Sequence, residues 1–177
     1  MLFIGICGAS GSGKSTLAEE LATMVNKSIL IINQDAYYKN HPDLSFEKRC
    51  LLNYDEPSIF DHDQLLEDVR ELLNGRRVSR KRYDYTHHCR ADVPGEYLEP
   101  HDVIIVEGIH AFYDARLRAM MDLKLYITSN PISVCCAAFS AISTNAAARL
   151  TTSLHNILQP SNRCLISISA IMSNTLT

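Results

Sequence analysis

No excess of positive charge marks this 177-residue chain. Its 17 lysines and arginines face 20 aspartates and glutamates, for a net charge of -3 and a sequence pI ≈ 6.1. That balance excludes a surface built for nucleic acid or for an anionic membrane. The opening Met-Leu-Phe-Ile-Gly-Ile-Cys carries no basic flank and is too short for a signal core or a spanning helix, so a soluble cytoplasmic protein is expected. The six cysteines show neither CxxC nor Cys/His metal spacing, and the adjacent Cys135 and Cys136 suit neither zinc nor a simple disulfide. Reduced thiols are the expectation. Most conspicuous is what residues 128–177 lack: no Asp, Glu or Lys occurs there, and Arg149 and Arg163 are the sole charged side chains.

What is present begins with Gly8-Ala9-Ser10-Gly11-Ser12-Gly13-Lys14-Ser15-Thr16, the spacing G-x-x-x-x-G-K-[ST]. The apolar run 2–7 ahead of it reads as a buried strand, and Leu17, Leu21, Met24 and Val25 behind it read as one face of a helix. In that strand, loop and helix context the motif is a phosphate-holding loop rather than a Gly/Ser-rich turn followed by an ordinary lysine. The glycines let consecutive amides turn inward on the β- and γ-phosphate oxygens, and the helix adds its N-terminal dipole. Lys14 supplies a point charge for the γ-phosphate and the Ser15 hydroxyl a ligand for Mg²⁺; Thr16 is a first-turn helix residue.

A second strand, 28–32, runs into Asn33-Gln34-Asp35-Ala36-Tyr37-Tyr38-Lys39. A carboxylate at the tip of a parallel strand sits where doubly wound sheets bind ligands, so Asp35 is a candidate base for a substrate hydroxyl or an outer Mg²⁺ ligand; a turn or cap aspartate is the alternative. Asp61 is expected to cap a helix whose apolar face is Leu65, Leu66, Val69 and Leu72, closed by Asn74-Gly75. Beyond the basic stretch 76–82, the alternation in Tyr83-Asp84-Tyr85-Thr86-His87-His88-Cys89-Arg90 suggests an edge hairpin presenting Tyr83, Tyr85 and His88 to a flat ring; a solvated basic loop is the alternative. The buried strand 103–106 ends at Glu107-Gly108, the position of a carboxylate that reaches Mg²⁺ through water. A short helix around Arg116, Leu117, Arg118, Met120 and Met121 and a strand at 123–127 follow. The expected class is α/β: a P-loop NTPase fold with a central parallel sheet flanked by helices.

Together GASGSGKST, NQDAYYK, NYDEPSIFD, YDYTHHCR and DVIIVEGIHAFYD, in this order and spacing, resemble the uridine–cytidine kinase family, within the wider group of phosphoribulokinase and pantothenate kinase. The resemblance covers residues 1–130. It implies transfer of a phosphoryl group from ATP or GTP, with Mg²⁺, to the 5′-hydroxyl of uridine or cytidine, and a homotetramer. By that resemblance Asp35 is the catalytic base with Lys14 beside it, Asp55 holds the ribose hydroxyls, and Tyr83, Tyr85 and His88 form the base pocket with Arg90 nearby. Glu107 assists Ser15 at Mg²⁺.

The family then shows an arginine-rich lid of the type RRIxRDxxERGR, which 131–177 lacks. A shifted reading frame restores it. Cys135 to Phe139, written TGC TGC GCC GCA TTC and read from the third base of each preceding codon, becomes CTG CGC CGC ATT, or Leu-Arg-Arg-Ile. Continued through Ser153, the same offset permits LRRIQRDINERGRTIDDIA, and Ile132-Ser133-Val134 permits DIR upstream. The expected division is thus a kinase domain over 1–130 and, from one nucleotide lost near codon 131, an altered tail over 131–177 in place of lid and C-terminal helices. A divergent Ser/Thr/Ala-rich tail is the alternative.

Overall fold

The computed structural model describes residues 1–127; the domain boundary near residue 130 and the tail beyond it lie outside the described residues. In chain order the elements are β1 (Leu2–Gly8), α1 (Lys14–Met24), β2 (Ile29–Asn33), a 3-10 turn (Gln34–Tyr37), α2 (Phe46–Cys50), a second 3-10 turn (Pro57–Ile59), α3 (His62–Leu73), β3 (Val78–Asp84), β4 (Cys89–Leu98), β5 (Val103–Gly108), α4 (Ala115–Met120) and β6 (Leu123–Ile127). Four strands make one parallel sheet in the order β2-β5-β1-β6.

The sheet's sequence follows from its being covered on both sides. β5, Val-Ile-Ile-Val-Glu-Gly, is buried at every position, as a central parallel strand requires. Side chains alternate between two apolar layers. Ile4, Ile6, Val103, Ile105, Leu123 and Leu125 pack with Leu17, Ala18 and Leu21 of α1. Phe3, Ile32, Ile104 and Val106 pack with Leu65, Leu66, Val69 and Leu72 of α3 and Leu117 of α4. The Asp61 carboxylate accepts from the Gln64 amide at 3.1 Å and starts α3, which closes at Asn74 with Gly75 at φ +78°.

Three local expectations are corrected. Met24 is exposed, and Ala18 takes an inward place on α1 instead. β2 begins at Ile29, because the Ser28 hydroxyl and amide are engaged by the Asp102 carboxylate. The hairpin is not an edge of the central sheet: β3 and β4 form their own two-stranded antiparallel sheet, with a register shift between Ser79 and Lys81. Among the described residues no helix is long and apolar enough to cross a membrane.

Candidate functional site

Three strand ends converge. β1 leads into the glycine-rich loop, β2 into Gln34-Asp35, and β5 into Glu107-Gly108, with Asn33 paired to Glu107 and Cys7 to Gly108. This is the carboxyl edge of a parallel sheet, where the chain first crosses from β1 to β2 on one side and later from β5 past β1 to β6 on the other.

In the loop, Gly13 stands at φ +89° directly before Lys14, a backbone state that L side chains rarely adopt. The Lys14 ammonium is buried and donates to the Ala9 carbonyl at 2.8 Å, folding back over the loop. Gly11 also has positive φ, while Gly8 is pressed against the Ile127 carbonyl and the Ser12 hydroxyl, leaving no room for a Cβ. Ala9, Ser10, Ser15 and Thr16 are exposed around this cradle.

The Ser15 hydroxyl donates to Glu107 Oε1 at 3.1 Å. Glu107 is buried, and desolvation raises its pKa above the ordinary carboxylate value against the opposing pull of Ser15 and Lys14. Among the described residues no three His, Cys, Asp or Glu side chains gather as a closed metal cage. A hydroxyl and a carboxylate oxygen side by side next to the glycine-rich loop fit Mg²⁺, which usually keeps waters and takes few protein ligands.

Asp35 lies two residues past the end of β2, its amide bonded to Asn33 Oδ1 at 2.7 Å. Burial raises its pKa, while the Tyr85 hydroxyl, Lys14 and Tyr38 pull it down. The Tyr85 hydroxyl donates to Asp35 Oδ2 at 3.1 Å and is itself pushed up to about 12, so it stays protonated as a donor at neutral pH. Beneath it an aromatic surface is built from Tyr38, Tyr54, Tyr83, Tyr85 and His88. Tyr83 donates to the Tyr54 hydroxyl at 3.0 Å, Tyr54 and His88 rings lie 5.0 Å apart, and Tyr83 and Tyr85 meet edge to face at 5.3 Å. His88 holds a positive φ of 49°, and its Nδ1 is buried without a partner among the described residues.

Asp55 is exposed on the loop before the second 3-10 turn, and its carbonyl accepts from His110 Nε2 at 2.7 Å. The His110 amide donates to Gln34 Oε1 at 2.9 Å, so the β5 end, the Asp35 turn and the Asp55 loop are stitched together. Arg90 stands somewhat apart: its guanidinium pairs with the Asp61 carboxylate at 3.0 Å and its backbone with Asn40, leaving Nη1 buried and unpartnered. Sequence reading therefore located both carboxylates, the loop and three of the rings. It missed Tyr38, Tyr54 and His110. The first two were signalled by their places in Tyr37-Tyr38 after Asp35 and Tyr54 before Asp55; His110 carried no signal, since its clamp joins residues 55 positions apart.

The sequence profile of the phosphoribulokinase / uridine kinase family matches residues 3–138. A uridine kinase of Halalkalibacterium halodurans is 46% identical over 130 residues, 73% of this chain and 61% of the relative. One of Staphylococcus haemolyticus is 45% identical over 128 residues, 72% of this chain and again 61% of the relative. The chain thus spans about 61% of the length of these curated relatives. Two solved structures share the fold. One is described as a candidate fructose transport system kinase of Silicibacter sp., with TM-score 0.59 at 22% identity, covering 81% of this chain and 72% of that one. The other is described as a possible uridine kinase of Bacillus stearothermophilus, with TM-score 0.53 at 21% identity, covering 80% and 84%.

Proposed function

The chain belongs to the phosphoribulokinase / uridine kinase family, and from that membership we propose that it is built to transfer the γ-phosphoryl group of ATP, or GTP, to the 5′-hydroxyl of uridine or cytidine. The observation that carries this reading is the Asp35 carboxylate, bonded to Tyr85 at 3.1 Å, between a phosphate-binding loop and a wall of aromatic rings. A pyrimidine needs ring faces and edge donors, whereas a sugar phosphate needs clustered cations. The surface beside Asp35 offers Tyr54, Tyr83, Tyr85 and His88.

In this reading amides of residues 8–16 and Lys14 cradle the donor's phosphates. Ser15 and Glu107 hold Mg²⁺, which supplies charge neutralisation at the phosphates. Asp55 binds the ribose hydroxyls, and its loop is held in place by His110. Asp35 orients the 5′-hydroxyl and accepts its proton as the oxygen attacks in line; burial raises its pKa and so strengthens it as a base, while Lys14 and Tyr85 favour the carboxylate form. His88 meets the pyrimidine edge, and Arg90 supports that side through Asp61. A cytoplasmic homotetramer belongs to the same proposal.

The proposed kinase domain is 1–130, and the tail over 131–177 is a frame-shifted reading of the lid and C-terminal helices. This chain then binds nucleotide but turns over poorly, because the lid arginines that would stabilise transition-state charge are missing. A panel of hydroxyl substrates with ADP readout, run on this chain and on a version with one nucleotide inserted at codon 131, tests the reading. Phosphorylation of uridine and cytidine by the restored chain is expected; transfer to a sugar phosphate or pantothenate alone would overturn the substrate assignment. Full turnover by the chain as it stands would overturn the frame-shift.

A further inference from the structure

Asp68 belongs to no part of the chemistry above, yet it is among the few buried charged residues described. It sits in the middle of α3, 4% exposed, and three groups from three elements converge on its carboxylate. Oδ2 accepts from the Tyr37 hydroxyl at 2.9 Å and from the Lys81 ammonium at 2.6 Å; Oδ1 accepts from Gln64 Nε2 at 2.9 Å. Lys81 is as buried as its partner, with 8% of its side chain exposed against 6% for Asp68, and its ammonium lies 5.7 Å from the Tyr37 ring centre.

The partners' positions give this cluster its meaning. Tyr37 ends the 3-10 turn that carries Asp35. Lys81 lies on β3 with Tyr83 two residues on, so that the spacing puts both on one side of the strand, and Tyr85 opens the turn directly after it. Tyr85 returns to Asp35 at 3.1 Å. A closed circuit results: Asp35, Tyr37, Asp68, Lys81, Tyr83, Tyr85 and back to Asp35. The β3/β4 sheet is separate from the central sheet and shares no ladder with it, so side chains must set its position relative to the strand ends. A buried ion pair is weak as a source of stability, since desolvation offsets the attraction, but it is directional and tolerates few alternative arrangements.

We propose that Asp68 is a positioning residue, the buried hub that locks the turn bearing Asp35 to the strand that carries Tyr83 and leads into Tyr85, and so sets the distance between base and aromatic wall. This rests on the functional reading above only for what that distance serves.

The test compares this chain with two double variants. Asp68→Leu with Lys81→Met removes both charges and keeps apolar volume; Asp68→Asn with Lys81→Gln keeps neutral hydrogen-bonding groups. ATP and uridine affinities are measured by calorimetry, and amide hydrogen exchange is followed at residues 35–38 and 83–85. The apolar pair is expected to weaken uridine binding about tenfold, as small misplacements of a binding group do, to leave ATP within about twofold, and to speed exchange in both segments; the amide pair restores much of each. Unchanged uridine affinity with unchanged exchange overturns the proposal. So does a parallel loss of ATP and uridine binding, which marks a merely structural pair. If uridine binds none of the three proteins, the functional reading fails by itself. Exchange then decides the positioning role: faster in both segments of the apolar pair sustains it, and unchanged rates refute it.

Discussion

Asp35 and Glu107 are held partly desolvated near one another, and each has its pKa raised above the ordinary values of 3.8 and 4.5 by burial. A carboxyl group whose folded pKa is raised binds its proton more tightly in the folded state. Its stability contribution therefore falls as pH rises from the unfolded value through the folded one, and above that the cost is fully present. Asp35→Asn removes the partly desolvated charge and should raise the melting temperature at pH 7, with the gain disappearing below pH 3.8, as thermal unfolding across pH would show. In the proposed reaction activity would run the opposite way, because a base works deprotonated. Tyr85→Phe deletes a hydrogen bond that lowers the Asp35 pKa. In the frame-restored enzyme it should move the acidic limb of kcat/KM to higher pH; an unmoved limb would separate Asp35 from the rate-determining proton.

Among the elements, α3 and the end of β5 hold the site from below. Asp61 serves α3 and β4 at once, capping α3 through Gln64 and pairing with the half-buried Arg90 guanidinium. Asp61→Ala should lower unfolding free energy by about 2 kcal/mol in denaturant titration, from the lost cap and the guanidinium left without its partner, and Asp61→Asn should recover much of it. Gly108 is constrained by contact and not by φ: a Cβ there would collide with the Gln34 side chain at Oε1. Gly108→Ala should push Gln34 aside, break its bond to the His110 amide and loosen the Asp55 loop. A weaker uridine affinity with ATP affinity kept is the expected calorimetric result.

At the scale of the whole molecule, the four-stranded sheet supplies the phosphate loop, and the separate β3/β4 hairpin supplies Tyr83, Tyr85 and His88, which meet Tyr38 and Tyr54 from the loops beside Asp35 and Asp55. A kinase of this plan also needs groups that close over the transferring phosphate, and residues 128–177 contain no Lys and two arginines. Inserting one nucleotide at codon 131 should raise kcat by roughly 10³–10⁵, the worth of an arginine that reaches the transition state, with a far smaller change in ATP affinity. Rapid-quench turnover beside calorimetry would read both quantities; equal turnover before and after insertion would mean that the tail is a working part of the protein.

Local chemistry by itself determined the phosphate loop, the helix from Asp61 to Leu73 and the buried strands. Each is encoded within a few residues: glycine spacing, a capping carboxylate, unbroken β-branched runs. It also marked Asp35 and Glu107, because a carboxylate at a strand tip is visible where it stands in the chain. Tertiary structure alone decided what crosses long separations. It set the β3/β4 sheet apart from the central one, brought His110 to the Asp55 carbonyl and Lys81 to Asp68, and turned Arg90 toward Asp61. The reason is physical: a polar side chain satisfies its hydrogen bonds with whatever packing brings near, and no periodicity in the sequence records that partner.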